Sequence, residues 1–302
     1  MSGIIVSVED ITKNYGNGKG VFDLNFQVTS GEIFGLVGTN GSGKTTTIRQ
    51  IMGFVKPTSG KISVLGKDSW LDSASIKNHV SYVPGEIAFP DIGKGAEFLK
   101  MHADFLGVKD MRYADYLTGV LKLDTSADIK RMSKGMKQKT AIIAALMGEK
   151  EILILDEPTT GLDPLMREIF IDIVKQEKQK GRTVLMSSHI FEEIENTCDR
   201  VALIKDGRIA EIANVNDIKR HNTKEFRVGF KAKADINSFA ELYSGKIIGA
   251  KNSEITVLVN DSEAGEFFGA LKNYAILYIT EVKNTLEKHF REIYSRKEKE
   301  NE

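Results

Sequence analysis

The chain is poor in the features that mark several large classes of protein. It has 302 residues and a single cysteine, Cys198, which excludes an internal disulfide, and it offers no paired Cys/His spacing for a zinc site. This cysteine usage is typical of the reducing cytosol. Because 42 basic residues balance 42 acidic ones, the net charge gives no reason to expect nucleic acid or an anionic membrane surface as the main partner.

A long apolar run is also lacking. No stretch approaches the ~18 to 20 apolar residues that a membrane-spanning helix needs. The N-terminal segment carries acidic residues and no long apolar run, so it does not have the pattern of a signal peptide. If a membrane is involved, we therefore expect this chain to lie beside it.

The apolar periodicity predicts an α/β fold for the first two thirds of the chain. Strand-like runs separated by Gly, Asn and Ser turns crowd the first 85 residues, and residues 93–148 change to helical spacing, with apolar residues three and four apart. Two short continuous apolar runs follow, EILILD and TVLMSS. Such runs are typical of buried parallel strands joined by a crossover helix.

A second shift in composition predicts a domain boundary near residue 218, with a main domain at residues 1–218 and a small α+β domain at residues 219–302. The pattern of the second part predicts a strand, a helix, two strands, a helix and a strand. The hairpin between the two central strands is predicted to turn at Asn252 and Ser253. This β-α-β-β-α-β order is that of ferredoxin-like folds.

A glycine-rich segment, GTNGSGKT at residues 38–45, follows an apolar strand and precedes a predicted helix. Its spacing is that of a phosphate-binding loop, G-x-x-x-x-G-K-[ST]. Glycines let successive backbone N–H groups point at phosphate oxygens, and the helix adds its positive end. Lys44 would reach the β- and γ-phosphates, and the Thr45 hydroxyl suits Mg²⁺. The predicted binding residues are Gly38, Thr39, Asn40, Gly41, Ser42, Gly43, Lys44, Thr45 and Thr46.

Two adjacent carboxylates end the apolar strand in EILILDEP. Asp156 is predicted to hold Mg²⁺, and Glu157 to orient or deprotonate the water that attacks the γ-phosphate. Taken alone, such a pair could instead be a solvated helix cap. Together with the phosphate-binding loop, it predicts hydrolysis of a nucleoside triphosphate.

Further segments occur in an order that resembles the ATP-binding cassette of ABC transporters. RMSKGMKQK, at residues 131–139, is similar to the family's signature loop: Ser133 and Gly135 match, and Lys134 and Met136 depart from its usual small or polar residues. TTGLDP, with Asp163, resembles the D-loop, and residues 197–211 resemble the closing hairpin. Alone, SKG before an apolar helix is equally typical of an N-cap. The resemblance implies that Ser133, Gly135 and Asp163 contact ATP.

Two aromatic positions gain a role from the same resemblance. Tyr15 lies where the family places an aromatic that stacks on adenine, and His189 lies where its switch histidine contacts the γ-phosphate. Alone, Tyr15 could be a core residue and His189 a structural one. The resemblance implies a catalytic set of Lys44, Glu157 and His189.

The clearest departure from the family lies in HVSYVPGEIAFPD, where Gly85 and Glu86 stand in place of the usual glutamine after YLP. We expect Glu86 to replace that glutamine as a Mg²⁺ ligand and as a sensor of the γ-phosphate. The alternative is that water fills the position.

The resemblance implies a P-loop ATP-binding cassette with a helical subdomain at about residues 88–150, ATP and Mg²⁺ as ligands, and ATPase activity. Because the chain contains one phosphate-binding loop and one signature loop, a second cassette, expected to be a second copy, would complete the ATP site. An integral membrane permease is the other expected partner. No nucleic acid is expected, and the expected location is the cytoplasmic face of the plasma membrane.

Two further segments, PTSGKISVLGKD and TLEKHF, are similar to cassettes of drug, antibiotic and ion exporters, which favours export. The alternative function is a soluble cassette ATPase acting on ribosomes or DNA, although those relatives usually fuse two cassettes or insert coiled coils. The C-terminal domain could also sense a small molecule or dimerise. Phe89, Phe98 and Phe105 are predicted either to line a groove for the membrane partner or to pack in the core.

Overall fold

A computed structural model of the chain describes residues 3–219, 223–243, 246–251, 253–283 and 285–300. These residues divide into two compact units, one ending at Val215 and the other beginning at Asn216. No helix in the described part of the chain is both long enough and apolar enough to cross a bilayer.

The first unit is built from two sheets and a set of helices. Its strands are β1 (Ile4–Gly16), β2 (Lys19–Thr29), β3 (Ile33–Val37), β4 (Ser59–Val64), β5 (Lys67–Asp68), β6 (Val80–Val83), β7 (Ile152–Asp156), β8 (Thr183–Ser188), β9 (Arg200–Lys205) and β10 (Arg208–Asn214). Its helices are α1 (Lys44–Ile51), α2 (Ser73–Lys77), α3 (Gly95–Leu106), α4 (Arg112–Val120), α5 (Lys134–Leu146), α6 (Pro164–Gln179) and α7 (Phe191–Thr197).

The central sheet has six strands in the order β10-β9-β3-β8-β7-β6. All neighbours pair in parallel except β9 and β10, which form an antiparallel hairpin. Every residue of β3, β7 and β8 is buried, as the continuous apolar runs of these strands predict. Because parallel strands end at the same edge, the segments that follow β3, β7 and β8 meet there.

The second sheet of this unit is antiparallel, with the order β2-β1-β4-β5. Its buried residues and those on one face of the central sheet form one apolar core, in which Phe26 of β2 stacks on Phe34 of β3 at a centroid distance of 5.3 Å. The helices α3, α4 and α5 occupy the stretch for which the sequence predicts helical structure.

A buried polar cluster connects α4 of this helical stretch to α6. Glu177 of α6 is fully buried, and its carboxylate accepts a hydrogen bond from the Tyr113 hydroxyl of α4. The same carboxylate lies 2.8 Å from Lys180 Nζ and forms an ion pair with Arg182. Burial and the Glu177 carboxylate together raise the pKa of Tyr113. Because a buried charge left without a partner is costly, this cluster fixes α4 against α6.

The second unit contains a four-stranded antiparallel sheet in the order β12-β13-β11-β14. Its elements, preceded by α8 (Val215–Lys219), are β11 (Thr223–Phe230), α9 (Lys233–Leu242), β12 (Ile247–Lys251), β13 (Glu254–Asn260), α10 (Ala264–Leu271), β14 (Ile276–Val282) and α11 (Leu286–Glu300). Phe230, Phe239 and Phe267 lie in its core. The order of strands and helices is the predicted one. Ser253 lies between β12 and β13, and the other predicted turn residue, Asn252, is outside the described residues.

Candidate active site

The glycine-rich loop connects β3 to α1, and its shape depends on glycine at two positions. Gly43 has a φ of +112° immediately before α1, and a Cβ built there would lie 2.4 Å from Val21 Cγ1. A Cβ at Gly38 would lie 2.2 Å from the Ile204 carbonyl oxygen. The loop can therefore fold tightly over the start of α1, which directs backbone N–H groups and the positive end of the helix to the same side.

Lys44, the first residue of α1, lies under this loop. Its side chain is 4% exposed, and Nζ donates hydrogen bonds to the carbonyl oxygens of Gly38 at 2.9 Å and Thr39 at 3.1 Å. The same ammonium lies 3.2 Å from Glu157 Oε1. A buried positive charge is thus held between the loop and the end of β7.

Asp156, the last residue of β7, is fully buried. Its Oδ1 accepts hydrogen bonds from Thr45 Oγ1 at 3.1 Å and Ser187 Oγ at 2.6 Å, whereas Oδ2 is buried without a hydrogen-bond partner. Burial raises the pKa of this carboxyl, and the hydrogen bonds from Ser187 and Thr45 act in the opposite direction. An unpartnered buried carboxylate oxygen beside a threonine hydroxyl suits a hard cation, which prefers oxygen ligands.

Glu157 follows Asp156 with a left-handed backbone, at a φ of +47°. Such a conformation costs a non-glycine residue on the order of 1–3 kcal/mol and is concentrated at functional sites. Its N–H donates to Ser187 Oγ at 3.0 Å, and its Oε2 lies 2.5 Å from Nδ1 of His189. The two oxygens of one carboxylate therefore contact Lys44 on one side and His189 on the other.

A cavity of about 550 Å³ opens beside Lys44 and Glu157, whereas Asp156 and His189 are not among the residues that line it. The predicted residues that line it are Tyr15, Asn40, Gly41, Gly43, Lys44, Thr45, Thr46 and Glu157. Of the other predicted loop residues, Gly38 and Ser42 are buried and Thr39 is exposed. Tyr15 is 57% exposed, the Lys13 ammonium lies 5.4 Å from the centre of its ring, and its stacking on adenine stays a prediction. The cavity also has lining residues that the sequence analysis missed, namely Gly18, Lys19, Gly20, Asp206 and Gly207.

Comparison with known proteins identifies the family to which this site belongs. Residues 21–160 match the model of the ABC transporter family. The chain is 36% identical over 235 residues to the bacitracin transport ATP-binding protein of Bacillus licheniformis, in a match that covers 76% of this chain and 77% of the relative. The chain belongs to the ATP-binding subunits of ABC transporters.

Further comparisons agree with this family. The linearmycin resistance ATP-binding protein of Bacillus subtilis is 38% identical over 219 residues, which cover 71% of this subunit and 70% of the relative. A solved structure described as the ATP-binding subunit of an ABC transporter is 31% identical, with a TM-score of 0.63, and the match covers 72% of this subunit and 92% of that chain. The predicted family and the predicted ATPase activity are confirmed, and none of these relatives supports the alternative of a soluble cassette acting on ribosomes or DNA.

A more distant solved structure shares the fold. It is the dimer of an ATP-binding cassette in a post-hydrolysis state bound to ADP and phosphate, with 22% identity, a TM-score of 0.62, and coverage of 70% of this subunit and 98% of that chain. This likeness supports the P-loop cassette architecture of the first unit.

Ser133, Gly135 and Asp163 are predicted ATP contacts that lie outside the glycine-rich loop and do not line the cavity. Ser133 Oγ caps α5 by accepting from the Met136 N–H at 3.2 Å, and Asp163 Oδ1 caps α6 by accepting from the Met166 N–H at 2.9 Å. A Cβ built on Gly135 would lie 2.7 Å from the Gly161 carbonyl oxygen, so the signature loop lies against the loop that carries Asp163. The structure thus gathers the signature loop and D-loop residues together, apart from the phosphate-binding loop.

Glu86 is not brought to the Asp156 carboxylate. It is exposed and does not line the cavity, whereas a Cβ built on its neighbour Gly85 would lie 3.2 Å from Asp156 Oδ2. Gly85 therefore leaves open the space next to the unpartnered oxygen, and the role of Glu86 as a metal ligand stays a prediction.

The sequence analysis also missed Ser187, whose hydroxyl contacts both acidic residues. Ser187 of β8 is the register partner of Asp156 in the parallel pair β7·β8, and its Oγ donates to Asp156 and accepts from the Glu157 N–H. A hydroxyl at the carboxyl end of a strand two residues before His189 was the available signal. Its significance depends on which strands are neighbours, which the sequence alone does not specify.

Proposed function

We propose that this subunit hydrolyses ATP in the cavity between the glycine-rich loop and Glu157, and that hydrolysis drives export through a separate membrane subunit. The observation that carries the proposal is the Glu157 carboxylate, which contacts the buried Lys44 ammonium and the His189 imidazole at once. In this proposal, a base, a positive charge and an imidazole lie together beside the cavity.

In this proposal, the backbone N–H groups of residues 38–46 and Lys44 bind the phosphates, and Tyr15 stacks on the adenine. Glu157 orients the attacking water and accepts its proton, while His189 contacts the γ-phosphate. Catalysis then depends on positioning and on stabilisation of the developing charge, because phosphoryl transfer requires little covalent participation by the protein.

The residues present fit a Mg²⁺ ion. Thr45 supplies a hydroxyl, and Asp156 supplies the carboxylate oxygen Oδ2, which has no protein partner. We include Glu86 in the proposed ligand set because of its position in the sequence. When bound, Mg²⁺ would neutralise charge on the β- and γ-phosphates. If Glu86 is a ligand, Glu86→Gln raises the Mg²⁺ concentration needed for half-maximal activity. An unchanged Mg²⁺ dependence removes Glu86 from the set.

A second copy of this subunit is the proposed partner of the site. Ser133, Gly135 and Asp163 do not line the cavity of their own chain, and in this proposal they contact a nucleotide held by the other molecule of a two-fold pair. The test is the mass in solution of the Glu157→Gln variant, which is expected to keep ATP intact. ATP with Mg²⁺ should double the mass from 33.5 kDa, and ADP should not. A chain that binds ATP and stays monomeric contradicts this arrangement.

The membrane subunit is proposed to dock into a groove between the central sheet and the helical stretch. This groove has a volume of about 590 Å³, and its lining includes Phe89, Phe98, His102 and Phe105. The rings of Phe89 and Phe98 stack edge to face with their centroids 4.7 Å apart, whereas Phe105 is 85% exposed. An exposed aromatic ring beside a groove is suited to contact with another protein. The relatives named for bacitracin transport and linearmycin resistance support export.

These assignments place the subunit at the cytoplasmic face of the membrane, attached through its partner. The direct test is co-purification of the tagged subunit with a polytopic protein from detergent-solubilised membranes. Recovery of the subunit with ribosomes or DNA, and without a membrane protein, contradicts the proposal.

For the C-terminal part we propose a ferredoxin-like accessory domain at residues 219–302, with the cassette at residues 1–218 and its helical subdomain at about residues 88–150. Its strand and helix order, its antiparallel sheet and its own apolar core support this assignment. A regulatory role is tested by comparing the ATPase rate of the full chain with that of a chain ending at residue 218. Equal rates at all ATP concentrations, with and without the membrane subunit, would exclude regulation of hydrolysis.

A further inference from the structure

Glu193 is a buried carboxylate that the proposed catalytic mechanism does not use. It lies in α7, four residues after His189, and is 3% exposed. A carboxylate is rarely buried to this extent unless hydrogen bonds and an opposite charge compensate for the loss of water. The contacts of Glu193 therefore show which segments its buried carboxylate connects.

Two hydroxyls from separate segments donate to the same carboxylate oxygen. Thr159 Oγ1 and Ser188 Oγ each donate to Glu193 Oε2 at 2.8 Å, and both hydroxyl residues are buried. Thr159 lies two residues after Glu157, and Ser188 immediately precedes His189. One buried oxygen thus ties the segment after the proposed base to the segment that carries the switch histidine.

The other carboxylate oxygen faces a cation that belongs to the D-loop region. Oε1 is buried without a hydrogen-bond partner, and Nε of Arg167 lies 3.9 Å away while donating to the Leu162 carbonyl oxygen at 3.1 Å. Arg167 therefore bridges Glu193 and the residue that precedes Asp163. The stretch from Thr159 to Leu162 is thus held by two groups, the Thr159 hydroxyl and the Arg167 guanidinium, that both contact Glu193.

The signature helix contacts this same segment. Gln138 of α5 is buried, and its Nε2 donates to the Pro158 carbonyl oxygen at 2.7 Å. Movement of the signature helix or of the D-loop would consequently reach Glu193 through contacts already in place.

We infer that Glu193 is a positioning residue for ATP hydrolysis, whose carboxylate holds Ser188, and with it His189, in register with the segment from Glu157 to Asp163. The inference rests on the catalytic roles proposed for Glu157 and His189. None of the contacts of Glu193 is made with the glycine-rich loop, so we expect ATP affinity to change little when Glu193 is replaced.

The primary test compares steady-state ATPase kinetics of full-length Glu193→Leu and Glu193→Gln with the wild type. The exposed neighbour in α7, Glu192→Gln, serves as the matched control. We expect kcat of Glu193→Leu to fall by about 10- to 100-fold, the scale of a small misplacement of reacting groups. KM and the Kd for ATP should change by less than about threefold. Glu193→Gln keeps the two hydroxyl contacts but loses the attraction to Arg167, so its decrease should be smaller.

Thr159→Val and Ser188→Ala provide the same test with little change in volume if Glu193→Leu does not fold. Each removes one donor to Glu193, and each should lower kcat without raising KM. Turnover within twofold of the wild type in Glu193→Gln and in both hydroxyl variants overturns the inference. A merely structural Glu193 would lower the melting temperature while leaving kcat per folded molecule unchanged, and this result overturns it as well.

A double-mutant cycle with His189→Ala tests whether Glu193 acts through the histidine. In the His189→Ala background, Glu193→Gln should lower kcat by less than about twofold further, because residues that act as a unit are non-additive. An undiminished effect in that background contradicts the inference. If His189→Ala alone has normal turnover, the catalytic role of His189 in the proposed function is contradicted. The inference about Glu193 is then judged by the primary test.

Discussion

The substitution Asp156→Asn should stabilise the nucleotide-free fold while abolishing ATP hydrolysis. In the structure, Oδ1 of Asp156 accepts from Thr45 and Ser187, and the fully buried Oδ2 has no partner. An asparagine keeps an oxygen for the two hydroxyls and removes the buried charge. The buried Oδ2 atom costs ~1–3 kcal/mol because it has no partner. The amide nitrogen that replaces it in the variant removes only part of this cost. We therefore expect a gain on the order of 1 kcal/mol, or about 2–4 °C in Tm for a domain of this size.

The pKa of Asp156 determines how the stability difference between Asp156→Asn and the wild type changes with pH. Burial raises the folded-state pKa of Asp156 above the ordinary value of 3.8, so the folded protein binds this proton more tightly than the unfolded chain does. The contribution of Asp156 to stability is therefore most favourable below pH 3.8, and it falls as the pH rises through the interval between the two pKa values. The stability advantage of Asp156→Asn should be small at the acid end and reach its full size near neutral pH.

The assay is thermal unfolding without nucleotide, measured for wild type and variant across this pH range, together with phosphate release at saturating ATP. Asp163→Asn is the matched control, since Asp163 is exposed and asparagine retains its N-cap function, so its Tm should not change. Addition of Mg²⁺ and ATP should raise the Tm of the wild type more than that of Asp156→Asn. If Asp156→Asn is less stable than wild type at neutral pH without nucleotide, the reasoning about the unpartnered oxygen is wrong.

Three further predictions follow from the same structure. Tyr113→Phe removes the hydroxyl that donates to buried Glu177, and should cost ~1–3 kcal/mol in the free energy of unfolding, as measured by urea denaturation. Gly43→Ala places a Cβ 2.4 Å from Val21 Cγ1 at a backbone φ of +112°, so the loop must distort. The affinity for ATP, measured by calorimetry, should weaken by at least ~10-fold. An unaltered affinity would contradict the loop geometry. Phe105→Ser, at an 85% exposed position, should leave Tm and the ATPase rate of the isolated chain unchanged and reduce co-purification with the membrane subunit.

The sequence predicts the glycine-rich loop, the acidic pair and the order of the elements because each depends on residues close together in the chain. The spacing from Gly38 to Thr45 and the apolar run before Asp156 are complete within single segments. The pattern that predicts the strands β11 to β14 is likewise local to each segment.

What the sequence does not predict arises from contacts between distant segments. Ser187 meets Asp156 because β7 and β8 are neighbours in register, and Glu193 meets Thr159 across 34 residues. Neither contact has a local pattern. The expectation for Glu86 came from its nearness in sequence to the missing glutamine, whereas the backbone places Gly85 against Asp156.

The central claim is that Glu157 is the catalytic base of an ATP-hydrolysing cassette, and phosphate release by Glu157→Gln tests it most directly. The exposed Glu168→Gln in α6 is the control. We predict that Glu157→Gln binds ATP with an affinity near that of the wild type but releases phosphate at least ~10²-fold more slowly at saturating ATP, the scale for losing one key polar group. Glu168→Gln should keep the wild-type rate. Turnover of Glu157→Gln within a few fold of the wild type would contradict the assignment of the catalytic site.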